Sequence, residues 1–315
     1  MGFSVIIPAF NEAEHLGRCL EGLAAQGRGQ SLIEEVIVVD NLSTDDTARV
    51  AEALGARVVS APKGTIASVR NRGAEAADGE IFAFIDADCV PLPGWLVAAR
   101  ARFEEPGTVA VGAYPRVPED ATWVQSVWSR LCQGGPAAPA AWLPSANMLV
   151  RRSAFREVGG FNEELITCED VDLSYRLGRL GTVFSDPAAA VIHHREPATL
   201  GRFFTKEVWH SRDNYTGLRR HGLVLRELPS LVMPLLFTLG VVLAPLTPWL
   251  GPVGWMGAAL ALAVPGAYTV RALLAGHRDV ISVFVIYLVY FAARGWSAIK
   301  TVPPALAGRR PEGSP

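Results

Sequence analysis

Between Leu228 and Val270 the chain carries no Asp, Glu, Lys, Arg or His, an uninterrupted 43 positions. At about 1.5 Å per residue, a helix of that length is roughly twice the ~30 Å hydrocarbon core of a bilayer. The sequence therefore predicts two membrane crossings, about 228–250 and 253–274, joined near Pro248 to Gly254. A further apolar segment, Val280 to Ala293, reaches 14 residues before Arg294. That is short for a span unless Arg294 snorkels and Gly295 to Ile299 extend it.

Charge patterning suggests an orientation. Arg219, Arg220 and Arg226 precede the first apolar segment, and Arg271 and Arg278 follow the second. The positive-inside rule puts both flanks in the cytoplasm. Three full spans would leave Arg309 and Arg310 outside, against that rule. The third segment, about 279–299, is thus expected as a third span or, in preference, a re-entrant or interfacial helix carrying Tyr287, Tyr290 and Trp296. This divides the chain into residues 1–218, a soluble domain, and 219–315, a membrane domain.

Residues 219–315 hold nine Lys/Arg and three Asp/Glu, net +6; as the whole chain is −2, the first 218 residues carry −8. A basic tail suits an anionic leaflet, and an acidic soluble part argues against nucleic acid as a partner. Cys19, Cys89, Cys132 and Cys168 show no CxxC pairing and read as reduced thiols. The opening Phe3 to Phe10 lacks the basic flank of a secretory signal.

Residues 1 to about 110 alternate short apolar runs with amphipathic stretches. Strands are expected at Phe3 to Ile7, Glu35 to Val39, Arg57 to Ser60 and Ile81 to Ile85, with helices at Ala13 to Ala25 and Ile66 to Ala77. Another helix, starting at Asp45-Asp46, would be capped by Ser43 or Thr44. Such a βαβα rhythm with continuous apolar strands indicates a parallel sheet covered on both faces, with ligands outside the strands' carboxyl ends. Trp123, Val127, Trp128 and Leu131 fall on one face of a short helix, and a Gly/Pro/Ala-rich stretch follows.

The acids are placed to do chemistry. Asp86-Ala87-Asp88 ends the run Ile81 to Ile85, and strand alternation would point both carboxylates the same way. Hard oxygen donors in that position suit Mg²⁺ or Mn²⁺ carrying a phosphorylated ligand. Thr167-Cys168-Glu169-Asp170 opens a helix, either as a capping box or as a source of a general base. His193-His194 follow a short strand at Ala190 to Ile192, as structural groups or as imidazoles completing the metal site.

Taken together, these pieces resemble glycosyltransferase family 2, whose members are inverting, nucleotide-sugar-dependent enzymes of GT-A fold. The matching stretches are Ser4 to Glu12, Val38 to Thr47, Arg70 to Gly73, Asp86 to Asp88, Gly159 to Glu163 and Glu169-Asp170, in order over about residues 3 to 200. The resemblance implies a Rossmann-like, mostly parallel α/β sheet. It also implies that Pro8, Phe10 and Glu12 line a nucleotide pocket, that Asp40 binds base or ribose, and that Arg70 approaches base or phosphates. Asp86 would hold ribose and contribute to the cation with Asp88 and His193. Asp170 would be the catalytic base, with Glu169 as the alternative, and Asn147 would shape the sugar subsite. One departure is Asp40-Asn41-Leu42-Ser43, where the family usually has two acids and a glycine.

The function so implied is transfer of a sugar from a nucleotide-diphosphate donor, UDP favoured, to a lipid-linked or membrane-held hydroxyl. The Gln-x-x-Arg-Trp pattern of processive synthases is not found, which favours single-sugar transfer. Alternatives are a polyprenyl-phosphate glycosyltransferase and a non-catalytic, membrane-anchored sugar-nucleotide-binding subunit. The expected location is the inner membrane, multi-pass, with the catalytic domain cytoplasmic.

Overall fold

The computed structural model of the protein describes residues 1–26, 32–213 and 228–306. They form two compact units, one from Met1–Glu119 with Cys132–Glu196, the other from Asp120–Leu131 with the chain from Pro197 onward. The first runs β1 (Phe3–Ala9), α1 (Ala13–Gln26), β2 (Ile33–Asp40), α2 (Thr47–Ala53), β3 (Arg57–Ser60), α3 (Ile66–Glu75), β4 (Ile81–Ile85), β5 (Cys89–Pro91), α4 (Trp95–Phe103) and β6 (Thr108–Gly112). After α5 (Trp123–Cys132) come β7 (Ala138–Pro139), β8 (Asn147–Arg151), α6 (Arg152–Glu157), α7 (Glu169–Leu177), β9 (Thr182–Ser185) and β10 (Val191–His193).

Among the described residues the main sheet has eight strands in the order β3-β2-β1-β4-β8-β6-β9-β7. Strands β1 to β4 are mutually parallel, as their apolar runs predict. The sheet is nevertheless mixed, because β8 lies antiparallel between β4 and β6. Alternation sends successive residues to opposite layers. Phe3, Val5, Ile7, Ile81, Ala83 and Ile85 pack with Leu16, Leu20, Leu23, Trp95 and Phe103 on one side. Ile6, Phe82 and Phe84 pack with Val69, Phe155 and Phe161 on the other. Helix α3 approaches so closely that a Cβ at Gly73 would lie 2.4 Å from a methyl of Ile6. The sequence motif ending in Gly73 thus has a packing reason.

Asn147 is a correction. Expected at a sugar subsite, it is fully buried at the start of β8, where it accepts from Trp95 Nε1 (2.8 Å) and donates to the carbonyls of Ala113 (3.0 Å) and Ala189 (2.8 Å). A polar side chain in an apolar strand is here a three-way tie between α4, the exit of β6 and the turn before β10.

In the second unit, three helices are long and apolar enough to cross a membrane among the described residues: Leu228–Leu250, Pro252–Leu274 and Val280–Lys300. The first two meet at small residues, where a Cβ on Gly240 would come within 2.6 Å of the Ala261 backbone. The third covers the segment expected as a third span or a re-entrant or interfacial helix. It continues without a break through Arg294 to Leu306, because Arg294 is neutralised by Glu207 (3.1 Å) and lies 4.5 Å from the Tyr290 ring centroid. Glu207 belongs to α8 (Leu200–His210), whose Phe203 meets Trp128 of α5 edge-on.

The compact helical unit takes α5 together with the chain from Pro197 onward. On α5 the buried face uses Val124 and Val127, leaving Trp123 exposed rather than on the apolar face as expected. Arg219, Arg220, Arg226, Arg309 and Arg310, on which the charge argument drew, lie outside the described residues. Replacing Asn147 with Ala is expected to destabilise the protein by at least about 2 kcal/mol, since it strands buried donors and acceptors. Thermal unfolding of detergent-solubilised protein checks this.

Candidate active site

The ends of β1, β2 and β4 carry the segments that the motifs singled out. Pro8 is buried near the end of β1, and after the strand Phe10 is exposed and Asn11 takes a left-handed backbone (φ 54°). The chain after β2 knits onto it: Asn11 N donates to Ser43 Oγ (2.9 Å), Thr44 N to Asn11 Oδ1 (2.8 Å), and Glu12 N to Thr47 Oγ1 (2.9 Å). Asp40, half-buried at the end of β2, accepts from Ser43 N (3.2 Å). Helix α2 is not capped by Ser43 or Thr44. The Asp45 carboxylate accepts from Thr47 N (3.0 Å) instead, and also from Ala13 N (3.2 Å), joining the two loops.

Asp86 and Asp88 have different partners. The strand stops at Ile85 and the chain turns, with Cys89 N donating to Asp86 O (3.0 Å), so period-two alternation no longer governs the pair. Asp86 accepts from Arg70 Nη2 (2.7 Å), while Arg70 Nη1 reaches Glu169 Oε1 (2.9 Å). Arg70 is thus 3% exposed and bridges two acids, rather than reaching out to base or phosphates as expected. Its burial is tolerable because two carboxylates share the charge.

Asp88 pairs with an imidazole instead. His193 Nε2 lies 3.1 Å from its carboxylate, and His193 Nδ1 lies 2.7 Å from Glu196 Oε1. Pairing of β10 with β5 sets this up by placing His193 opposite Cys89. Among the described residues, Asp88, Cys89 and His193 form the group whose donor atoms lie within 4.8 Å of one another; Asp86 is not part of it. Burial pushes the Cys89 thiol well above its usual range, so it stays protonated and is a poor ligand for a hard cation. The carboxylate and imidazole remain, a donor pair that fits Mn²⁺ and, less well, Mg²⁺. Burial alone would lower the His193 pKa, but the hydrogen bonds to Asp88 and Glu196 outweigh it and push the value up to about 10.

Glu169 and Asp170 open α7. The residue before them, Cys168, is left-handed (φ 62°) and its own side chain makes no cap. The Asp170 oxygens accept from Val171 N (2.8 Å) and Ser145 N (3.3 Å), while Ser145 Oγ donates to Glu169 (3.2 Å). Burial and the neighbouring Glu169 charge push the Asp170 carboxyl up to about 7. That is the range in which a carboxylate works as a base near neutral pH.

Several site residues were not singled out from the sequence. Ser145 and Thr47 act through local hydrogen bonds. Glu196 and Arg195, whose Nη1 donates to Glu12 Oε1 (2.6 Å), follow directly on the His193-His194 pair, and that adjacency was the available signal.

The sheet order and strand-end acids define a GT-A fold. A mannosyltransferase from Pyrobaculum calidifontis, solved with GDP-Man and Mn²⁺, superposes with a TM-score of 0.60 at 17% identity, over 95% of this chain and 86% of that one. Glucosyl-3-phosphoglycerate synthase from Mycobacterium tuberculosis, solved with Mn²⁺ and UDP-glucose, gives 0.51 at 21% identity, over 71% and 80%. Residues 4–159 match the family model described as glycosyl transferase family 2, and the α/β unit belongs to that family. A pre-mycofactocin glycosyltransferase of Mycobacterium tuberculosis is 29% identical over 96% of this chain, which spans 64% of that relative's length.

Arg70→Ala is expected to cost about 3–5 kcal/mol of stability, because it leaves Glu169 and Asp86 without their counter-charge. Arg70→Lys, lacking the planar fork, should recover less than half of that loss in chemical denaturation.

Proposed function

We propose that the protein is a divalent-cation-dependent, inverting glycosyltransferase that moves one sugar from a nucleoside-diphosphate sugar to a hydroxyl of a lipid-linked or membrane-held acceptor. The observation that carries this reading is the Arg70 bridge, which joins the Asp86 to Asp88 turn to the Glu169-Asp170 helix start. One site then holds a cation corner and an unspent carboxylate.

In this reading Asp88 would hold Mn²⁺ or Mg²⁺, and His193, kept protonated by Asp88 and Glu196, would join it as a ligand on giving up that proton. The cation, when bound, neutralises charge on the departing diphosphate. An imidazole among the donors favours Mn²⁺, since Mg²⁺ prefers oxygen ligands throughout. Asp170 takes the proton of the acceptor hydroxyl. As the oxygen bonds to the anomeric carbon, the bond from that carbon to the diphosphate oxygen breaks, and its electron pair leaves with the nucleoside diphosphate. A single displacement of this kind inverts the anomeric centre.

The three apolar helices on the same chain support a membrane-held acceptor. A second acceptor is suggested by the relative named for pre-mycofactocin, which aligns over nearly the whole chain. Donor bases to test are uracil, favoured from the sequence motifs, and guanine, as in the mannosyltransferase structure. Arg271 and Arg278 beyond the second span support a multi-pass protein in the inner membrane with its α/β unit in the cytoplasm.

The test is nucleotide release by purified protein with Mn²⁺ or Mg²⁺, UDP, GDP and dTDP sugars, and membrane lipid or pre-mycofactocin. Asp88→Ala and Asp170→Asn should each lower turnover at least about 100-fold while the protein stays folded. Full activity in both variants overturns the proposal. Loss in Asp88→Ala with retention in Asp170→Asn would point to a polyprenyl-phosphate acceptor, which needs little help from a base.

The pH profile gives an independent check. A base works only when deprotonated, so turnover should be low under acidic conditions, rise as pH passes through about 7, and level off above. The residual activity of Asp170→Asn should lack that limb.

A further inference from the structure

We propose that Arg195 is a diphosphate-binding residue held in reserve by Glu12: its guanidinium alternates between the Glu12 carboxylate and the diphosphate of the donor. The inference rests on the donor-binding reading above. It adds a residue and a movement that the strand-end motifs do not contain.

The position of Arg195 is fixed by the fold. Strand β10 pairs with β5, His194 N donates to Asp88 O (3.0 Å), and the next residue reaches across to Glu12 at the end of β1. The guanidinium therefore sits over the acid-rich corner formed by Glu12, Asp86 and Asp88. Other cationic groups there are already committed. Arg70 is buried between Asp86 and Glu169, and His193 is clasped between Asp88 and Glu196.

Arg195 is different. Its side chain is 52% exposed, against 17% for Glu12, and among the described residues its hydrogen bond to Glu12 Oε1 is the one its guanidinium makes. Ion pairs this exposed are weakly held, so exchange for a better partner costs little. A diphosphate is that partner, because the planar guanidinium fork matches phosphate oxygens two at a time. Glu12 in turn has its Oε2 buried with no partner. It acts as a resting place for the arginine in a corner already rich in negative charge.

The experiment measures calorimetric affinity, in the presence of Mn²⁺, for UDP and GDP and for the matching monophosphates UMP and GMP. With the diphosphate that the unaltered protein binds, Arg195→Ala should weaken affinity tenfold or more while changing monophosphate affinity less than threefold. Arg195→Lys should fall between. Glu12→Gln, which releases the arginine, should tighten diphosphate binding at least threefold, and this gain should vanish in the double variant with Arg195→Ala.

Equal losses for mono- and diphosphate in Arg195→Ala, or no loss, would overturn the binding role. A Glu12→Gln gain that persists without Arg195 would reflect simple repulsion and overturn the reserve role. Diphosphate binding that depends on Asp88 but not on Arg195 removes this inference alone. If the unaltered protein binds neither diphosphate, the donor reading falls with it.

Discussion

The buried guanidinium of Arg70 is the constraint on which the rest of the site depends. Removing a guanidinium from water is costly unless carboxylates surround it, and here one comes from the turn after β4 and the other from the start of α7, 99 residues later. The ion pairs fix where the two acidic segments stand relative to each other. They also divide each pair of acids by task. Asp86 and Glu169 are held by Arg70, whereas Asp88 pairs with His193 and Asp170 accepts from the amides of Val171 and Ser145. Glu169 contributes twice, since its charge also keeps its neighbour's proton affinity high.

Local elements were legible in the sequence wherever a single chain segment decides its own structure. The apolar run Ile81 to Ile85 and the shorter stretch Arg57 to Ser60, with Val58-Val59 at its centre, form strands over those residues. Helix α1 shows its buried stripe directly, with Leu16, Leu20 and Leu23 at helical spacing. What the spacing could not carry was pairing across distance. Strand β8 enters antiparallel from far along the chain, which no local pattern announces. Asn147 looks like a ligand contact in isolation and proves to be a core fastener only once Trp95, Ala113 and Ala189 surround it.

The backbone leaves regular geometry at two points. Strand β4 ends at Ile85 and Asp86 begins a turn, and the residue before α7, Cys168, is left-handed. Both departures fall within the candidate site. Strain of this kind is held in place by surrounding structure, here the Arg70 bridge and the Ser145 contacts.

The helical unit repeats the same principle in apolar surroundings, with Arg294 made acceptable by Glu207 from a neighbouring helix. That unit also draws in residues 120–131 from the middle of the α/β sequence, so the chain passes between the two units three times. A soluble fragment cut before the first apolar helix would therefore keep α5 and α8 but lose Val283, Ile286 and Tyr290, against which Val124, Val127, Trp128 and Phe203 pack. Such a fragment would expose an aromatic surface to water. The α/β unit of this protein is, in that sense, not separable by a single cut.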